Sequence, residues 1–295
     1  MHTHTSKGGF LGRAAARSAG VPVIIHTAHG FAFHEDSSKA VIKTYAFLES
    51  RAARWCDRIT TVSDFHRKWA LRLGIASNEK IVTVHNGIAP DRLEVNTSSA
   101  ITRNAFGITD NQAVIGVIGR LAPGKGLEVI LDSFPGVLAK HPQARLLIVG
   151  DGPEADSLKS MQANLGLTGK VIFTGFRQDI GNILNACDLV VSPTLREGLS
   201  VSILEAMALS KPIVTTDISS NKELVEHMVS GILIPPLDAA ALTQAIISLI
   251  DDPGRAEQFG ENAFAKFQSC YSEKMMQEKM WMVYKELIDN TVPND

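Results

Sequence analysis

The chain has 295 residues, a length that accommodates two domains of ordinary size. It is 45% hydrophobic and 20% charged with a formal charge of -2, which describes a globular protein and disfavours a general nucleic-acid binder, a class that is usually basic. No apolar run reaches the roughly 18 residues that a membrane span requires, and the N-terminus lacks the charged-then-apolar order of a signal peptide.

In chain order, His2-Thr3-His4 reads as the end of a strand. Strands are predicted at Val21–His26, Arg58–Val62 and Lys80–Val84, with helices over Lys39–Arg54 and His66–Leu73. Asn86-Gly87 marks a turn, and the polar stretch Glu94–Thr102 reads as a linker. So few elements cover too little apolar surface to stand alone, so residues 1–98 are expected to be a partial N-terminal domain. From residue 112 the pattern is regular βα alternation. Strands are predicted at Ala113–Ile118, Arg145–Val149, Val171–Phe173, Leu189–Ser192, Pro212–Thr215 and Ile232–Ile234. Helices are predicted at Leu127–Leu138, Glu154–Leu165, Asp179–Ala186 and Val201–Leu209. Such alternation implies a parallel sheet covered on both faces, here spanning residues 99–271. Ser272–Asp289 is helical and rich in Met, Trp and Tyr, so residues 272–295 are expected to pack back on the first domain. Cys56, Cys187 and Cys270 are odd in number and far apart, as reduced thiols of a cytoplasmic protein would be.

Ligands of parallel sheets sit beyond the carboxyl ends of the strands. Arg120, Gly150-Asp151-Gly152, Gly175, Glu197 and Asp217 all follow predicted strand ends. Gly119-x4-Gly124-Lys125-Gly126 nearly satisfies a Walker A loop, but Gly126 stands where that loop needs Ser or Thr, which excludes an NTPase of that type. The loop still offers Arg120 for bidentate phosphate binding and Lys125 as a point charge. Gly150-x-Gly152-x-x-Ala155 resembles a dinucleotide fingerprint, yet the next strand ends without the acidic residue that such a site requires. Ser200 is a plausible N-cap for the helix at Val201, so the N–H groups of Leu199, Ser200 and Val201 can face a phosphate. Glu197 falls in the loop before that helix and Glu205 inside it; carboxylates only accept hydrogen bonds, which suits sugar hydroxyls. His2 and His4 have H-x-H spacing without a third ligand, so no metal site is expected.

Glu197-Gly198-x6-Glu205-Ala206-Met207-Ala208 and Gly119-Arg120-Leu121-x3-Lys125-Gly126 together resemble the retaining GT-B glycosyltransferases of family 4. Asn86-Gly87-Ile88, Val149–Glu154, Phe173–Phe176, Gly231–Pro236 and His26–Phe31 match in consistent order, and the histidine-rich motifs look most like exopolysaccharide or lipopolysaccharide enzymes of bacteria. The resemblance implies an α/β protein of two Rossmann-like domains with parallel sheets, the N-terminal one incomplete because family members carry further residues before it. It implies transfer of a sugar from a UDP- or GDP-sugar to a saccharide or lipid-linked acceptor in cell-envelope polysaccharide synthesis, with retention and without a metal or cofactor. Arg120 and Lys125 then hold the diphosphate, Glu205 the ribose, and Glu197 and His29 the transferred sugar; Gly150, Gly175 and Gly198 to Val201 complete the donor site. Departures are the missing N-terminal strands and Ser220, where the family has Gly. The alternative is a non-catalytic nucleotide-sugar-binding remnant, or one subunit of a split enzyme whose second chain supplies the N-terminal region. Lys39, Lys43, Arg51, Arg54 and Arg58 beside Ile42, Tyr45 and Trp55 suggest peripheral contact with the inner face of an anionic membrane.

Overall fold

Runs of Val and Ile bounded by helical patterns become buried parallel strands, because each βα crossover lays a helix on a sheet face. In the computed structural model, which describes residues 1–89 and 93–289, they form two sheets. The predicted segments 1–98 and 272–295 therefore lie in part outside the described residues, at 90–92 and 290–295.

The first unit comprises Met1–Gly87, Glu197–Leu199 and the chain from Glu273. Its elements are β1 (His2–His4), α1 (Ser6–Ser18), β2 (Ile25–Ala28), α2 (Lys39–Ala53), β3 (Arg58–Thr61), α3 (Asp64–Arg72) and β4 (Ile81–Thr83). The strands pair in parallel in sequence order. The predicted strand Val21–His26 is displaced: the Ile24 N–H bonds the Asp57 carboxylate at 2.7 Å, so the ladder starts only at Ile25. Helix α1 went unpredicted because its glycines argue against a helix. They are required by packing, since a Cβ on Gly9 would stand 2.3 Å from the His26 ring. A last helix, Glu273–Asp289, closes the unit by setting Val283 and Leu287 against Ile25 and Val84.

The second unit comprises Ile88–Arg196 and Ser200–Ser272. In order it has α4 (Ser99–Ala105), β5 (Val114–Ile118), α5 (Leu127–Lys140), β6 (Arg145–Val149), α6 (Ala155–Asn164), β7 (Val171–Gly175), α7 (Ile180–Ala186) and β8 (Leu189–Ser192). There follow α8 (Val201–Ala208), β9 (Ile213–Thr216), α9 (Ser219–Leu224), β10 (Ile232–Ile234), α10 (Ala239–Asp251) and α11 (Pro253–Cys270), which makes the closing helix of the first unit α12. The sheet is parallel throughout, in the order β10-β9-β8-β5-β6-β7. Its core is a continuous cluster of apolar residues, many from β5, β6, α5 and α10, among them Ile115, Leu131, Phe134, Leu146 and Ile246.

The linker expected over Glu94–Thr102 is corrected from Ser99 onward, where α4 begins. Ser98 caps this helix by accepting from Ile101 N at 3.3 Å. Arg103, which looks like a surface residue in sequence, is buried and donates to Ala186 O and to Asp188 Oδ1 at 2.9 and 2.7 Å. The polar residues that suggest a linker are thus a cap and a clamp. Helices α9, α10 and α11 fall outside the predicted ranges.

Candidate functional site

The strand order of the second unit creates one crevice above its sheet. From β5 the chain winds outward through β6 and β7, then returns to the other side of β5 with β8, β9 and β10. Between β5 and β8 the loops therefore diverge above the sheet, leaving the crevice in which parallel sheets bind ligands. The loop after β5 carries Gly119, Arg120 and Lys125; the loop after β8 leads through Arg196 toward α8.

These loops are sewn together by backbone. Gly124 O accepts from Leu195 N at 2.8 Å and from Thr194 Oγ1 at 3.3 Å. Leu121 N donates to Asp151 O and Gly119 N to Val149 O, both at 2.9 Å, and Gly150 N reaches Gly175 O at 2.9 Å. The approach leaves no room for side chains. A Cβ on Gly126 would lie 2.0 Å from Pro193 O, and one on Gly150 would lie 1.9 Å from Gly119 O. Gly150 and Gly175 thus line the same loop edge as Arg120 and Lys125.

Arg120 is exposed and pairs with no described residue. Lys125 is half-buried. Ser200 is the N-cap of α8, its hydroxyl accepting from Ile203 N at 3.4 Å and lying 3.1 Å from Ser202 Oγ. Val201 is exposed at the first helical position, and half-buried Glu205 follows one turn later. The second unit therefore combines a cation-bearing Gly loop with a helix start and a carboxylate, the functions needed to hold a diphosphate beside hydroxyls. Thr194, which the sequence reading passed over, joins the two loops; a buried Thr after a strand carries no distinctive sequence signal. At Ser220, where the turn was expected to depart from the family pattern, the chain forms α9 with Ser220 buried.

In the first unit, His29 follows β2, and its Nε2 lies 3.0 Å from His4 Nδ1. His2 and His4 stack at 4.4 Å, and both nitrogens of His2 are occupied, by Tyr284 OH and Thr27 Oγ1 at 2.7 Å. The HxH spacing thus serves a hydrogen-bonded histidine row. Burial and the neighbouring His4 lower the His29 pKa, and burial above all brings His2 down to about 4. These rings border a cavity of about 360 Å³ whose other walls include Asn86, Met280 and Trp281. Gly198, also in this unit, touches the His29 backbone: a Cβ there would be 1.9 Å from His29 O. Leu199 is buried and Glu197 half-buried.

On α2 and its C-cap Arg54, Lys39, Lys43, Arg51 and Arg54 are exposed, as are Val41, Tyr45, Phe47 and Leu48. Arg58 does not join them, being only 12% exposed and paired with Glu286 at 2.6 Å. Trp55 packs edge-on to Phe10 instead of facing solvent. No helix among the described residues is long and apolar enough to cross a membrane.

Residues 98–266 match the family described as Glycosyl transferases group 1, and residues 1–87 match a Glycosyl transferase 4-like domain. Among curated relatives, the UDP-Gal:alpha-D-GlcNAc-diphosphoundecaprenol alpha-1,3-galactosyltransferase of Escherichia coli is 32% identical over 85% of this chain. The match spans 66% of that enzyme's length, just under two thirds. The capsular polysaccharide biosynthesis glycosyltransferase CapM of Staphylococcus aureus is 24% identical, over 98% of this chain and 77% of CapM. Of solved structures, Anabaena HepE in complex with UDP and glucose superposes with a TM-score of 0.86 at 26% identity, covering 96% of this chain and 77% of HepE. Sucrose-phosphate synthase from Thermosynechococcus elongatus shares the fold, with a TM-score of 0.85 at 21% identity over 98% of this chain and 73% of that one.

Proposed function

The chain belongs to the group 1 glycosyl transferases and has the GT-B fold, and we propose on that premise that it moves a sugar from a nucleotide-sugar donor to a saccharide or lipid-linked acceptor. The observation that carries this reading is the joining of the Arg120–Lys125 loop to the loop that leads into α8, through Gly124 O at the switch between β5 and β8. The donor is a UDP- or GDP-sugar; UDP appears in the names of the E. coli relative and the HepE complex, and GDP-mannose in that of a Corynebacterium glutamicum mannosyltransferase. The pathway is cell-envelope polysaccharide synthesis, in line with the capsular polysaccharide biosynthesis that the name of CapM gives.

In the proposed reaction the bond from the anomeric carbon to the diphosphate oxygen breaks. The acceptor oxygen bonds to that carbon on the same face, and its proton passes to the leaving phosphate, so configuration is retained. Arg120 and Lys125 stabilise the charge that grows on the diphosphate, which requires neither a protein nucleophile nor a metal. Glu205 accepts from the ribose hydroxyls, and Glu197 and His29 contact the transferred sugar. The N–H groups at the start of α8 add a partial positive charge. The exposed cations of α2 with Tyr45, Phe47 and Leu48 would rest on an anionic membrane, placing the enzyme at its cytoplasmic face.

Calorimetric titration with UDP, GDP and their sugar conjugates, without added metal, tests the reading. Tight binding of one nucleotide, with the sugar conjugate distinguished from the bare diphosphate, is expected. A folded chain that binds none of them would contradict it and leave a donor site that needs residues from a further segment or subunit.

A further inference from the structure

Under the donor loops lies a buried polar network that the proposed reaction does not use. Asn221, in α9, is fully buried, as are Thr215 and Thr216 at the end of β9. The two protons of Asn221 Nδ2 are shared among three acceptors, Thr215 Oγ1 at 2.8 Å and both O and Oγ1 of Thr216 at 3.1 Å. The Thr215 hydroxyl donates in turn to Ser192 O at 2.7 Å, and the Thr216 hydroxyl donates to Thr194 O. Thr194 then reaches Gly124 O and Arg196 O through its own hydroxyl, at 3.3 and 3.0 Å.

The network has a direction. A backbone carbonyl only accepts, so Thr216 O requires the amide nitrogen of Asn221, rather than its oxygen, on this side. With nitrogen there, both threonine hydroxyls accept from the amide, and their own protons must turn to the Ser192 and Thr194 carbonyls. The Asn221 Oδ1 is left buried without a partner. Native cores seldom carry such an atom without a compensating role.

We propose that Asn221 is a positioning residue for the donor site, orienting Thr215 and Thr216 so that the Thr194–Arg196 segment stays pinned to Gly124. The inference rests on the nucleotide-sugar reading above, because it makes this pin the element that keeps the diphosphate loop in register with the segment leading to Glu197. Asn221 acts through Thr216 and Thr194. Aspartate has almost the same shape, but an ionised carboxylate only accepts; in that form it would draw both hydroxyl protons to itself and release the two carbonyls.

The test uses the full chain and the variants Asn221→Asp, Thr216→Val and Thr216→Ser, each checked for a native melting transition. Hydrogen exchange is read at Leu195, whose N–H bonds Gly124 O, beside titration with UDP- and GDP-sugars. Asn221→Asp and Thr216→Val should exchange faster at Leu195 and bind the nucleotide sugar roughly tenfold more weakly. Thr216→Ser keeps the hydroxyl and should behave as the parent in both. If Asn221→Asp fails to fold, the contrast between Val and Ser at position 216 decides. Unchanged Leu195 exchange in Asn221→Asp, or equal behaviour of Val and Ser, overturns the inference whether or not nucleotide binds. A parent chain that binds no nucleotide sinks the functional reading instead, and the exchange result then judges the network separately.

Discussion

At the scale of single residues, the site divides into groups that touch a ligand and groups that make space for one. The proposed function puts Glu205 in the first kind. Its replacement by Ala should weaken nucleotide-sugar binding by roughly 1–3 kcal/mol, the range for hydrogen bonds to a charged group; an unchanged calorimetric affinity would remove it from the donor site. Arg120 is exposed and pairs with no described residue, so Arg120→Ala should leave the melting temperature intact. It should lower kcat on the order of a hundredfold, as loss of a transition-state donor does. A large drop in melting temperature would instead mark a structural role. Gly126 belongs to the second kind. Gly126→Ala would drive a methyl group to 2.0 Å from Pro193 O, so both stability and donor binding should fall. The residues proposed to face the ligand can be picked out in sequence because chemistry restricts which types bind a phosphate or a hydroxyl. Thr194, Thr216 and Asn221 were not, since a buried polar residue declares itself only through partners that are distant in sequence.

At the scale of elements, legibility followed the source of each element's stability. The strands of the second unit are apolar runs on both faces, and all six are placed within two residues of where they form, the largest difference being β7, which runs on to Gly175. Helix α8 announced itself through its cap. Ser200→Ala should cost about 1 kcal/mol, with Ser200→Asp recovering most of it, as read by chemical denaturation; equal stability of all three would mean that the cap contributes nothing. Helix α1 was hidden for the opposite reason. Its three glycines lower helix propensity, while Gly9 and Gly12 let it approach His26 and Thr3 of the sheet, so packing overrides local preference. No window of sequence contains that information. Helix α4 was hidden by Arg103, whose burial depends on carbonyls supplied by residues 110, 112 and 186.

At the scale of the whole molecule, the two units differ in how they meet acid. His26 is brought down to about 3 and His66 to about 4, in both cases chiefly by burial, and His2 is similarly near 4. All three lie in the first unit. A histidine whose folded pKa lies below its unfolded value near 6.5 gives the unfolded chain the greater appetite for protons. Its stabilisation is therefore complete above about pH 6.5 and drains away as pH falls toward the folded values. Exchange protection, corrected for intrinsic rates, should drop in the first unit between pH 7 and pH 4.5 before it drops in the second; uniform loss across the chain would contradict this.

The closing helix of the first unit also has a consequence for synthesis. Val23, Ile25, Val82 and Val84 are shielded by Val283, Leu287, Met276 and Met280, which are translated only after the whole of the second unit. While the ribosome makes everything from Ile88 to Ser272, at ~5–20 residues per second, that valine-rich face waits uncovered for on the order of ten seconds or more. The early third of the nascent chain is therefore expected to engage chaperones. Premature termination before Glu273 would leave it adhesive as well as inactive.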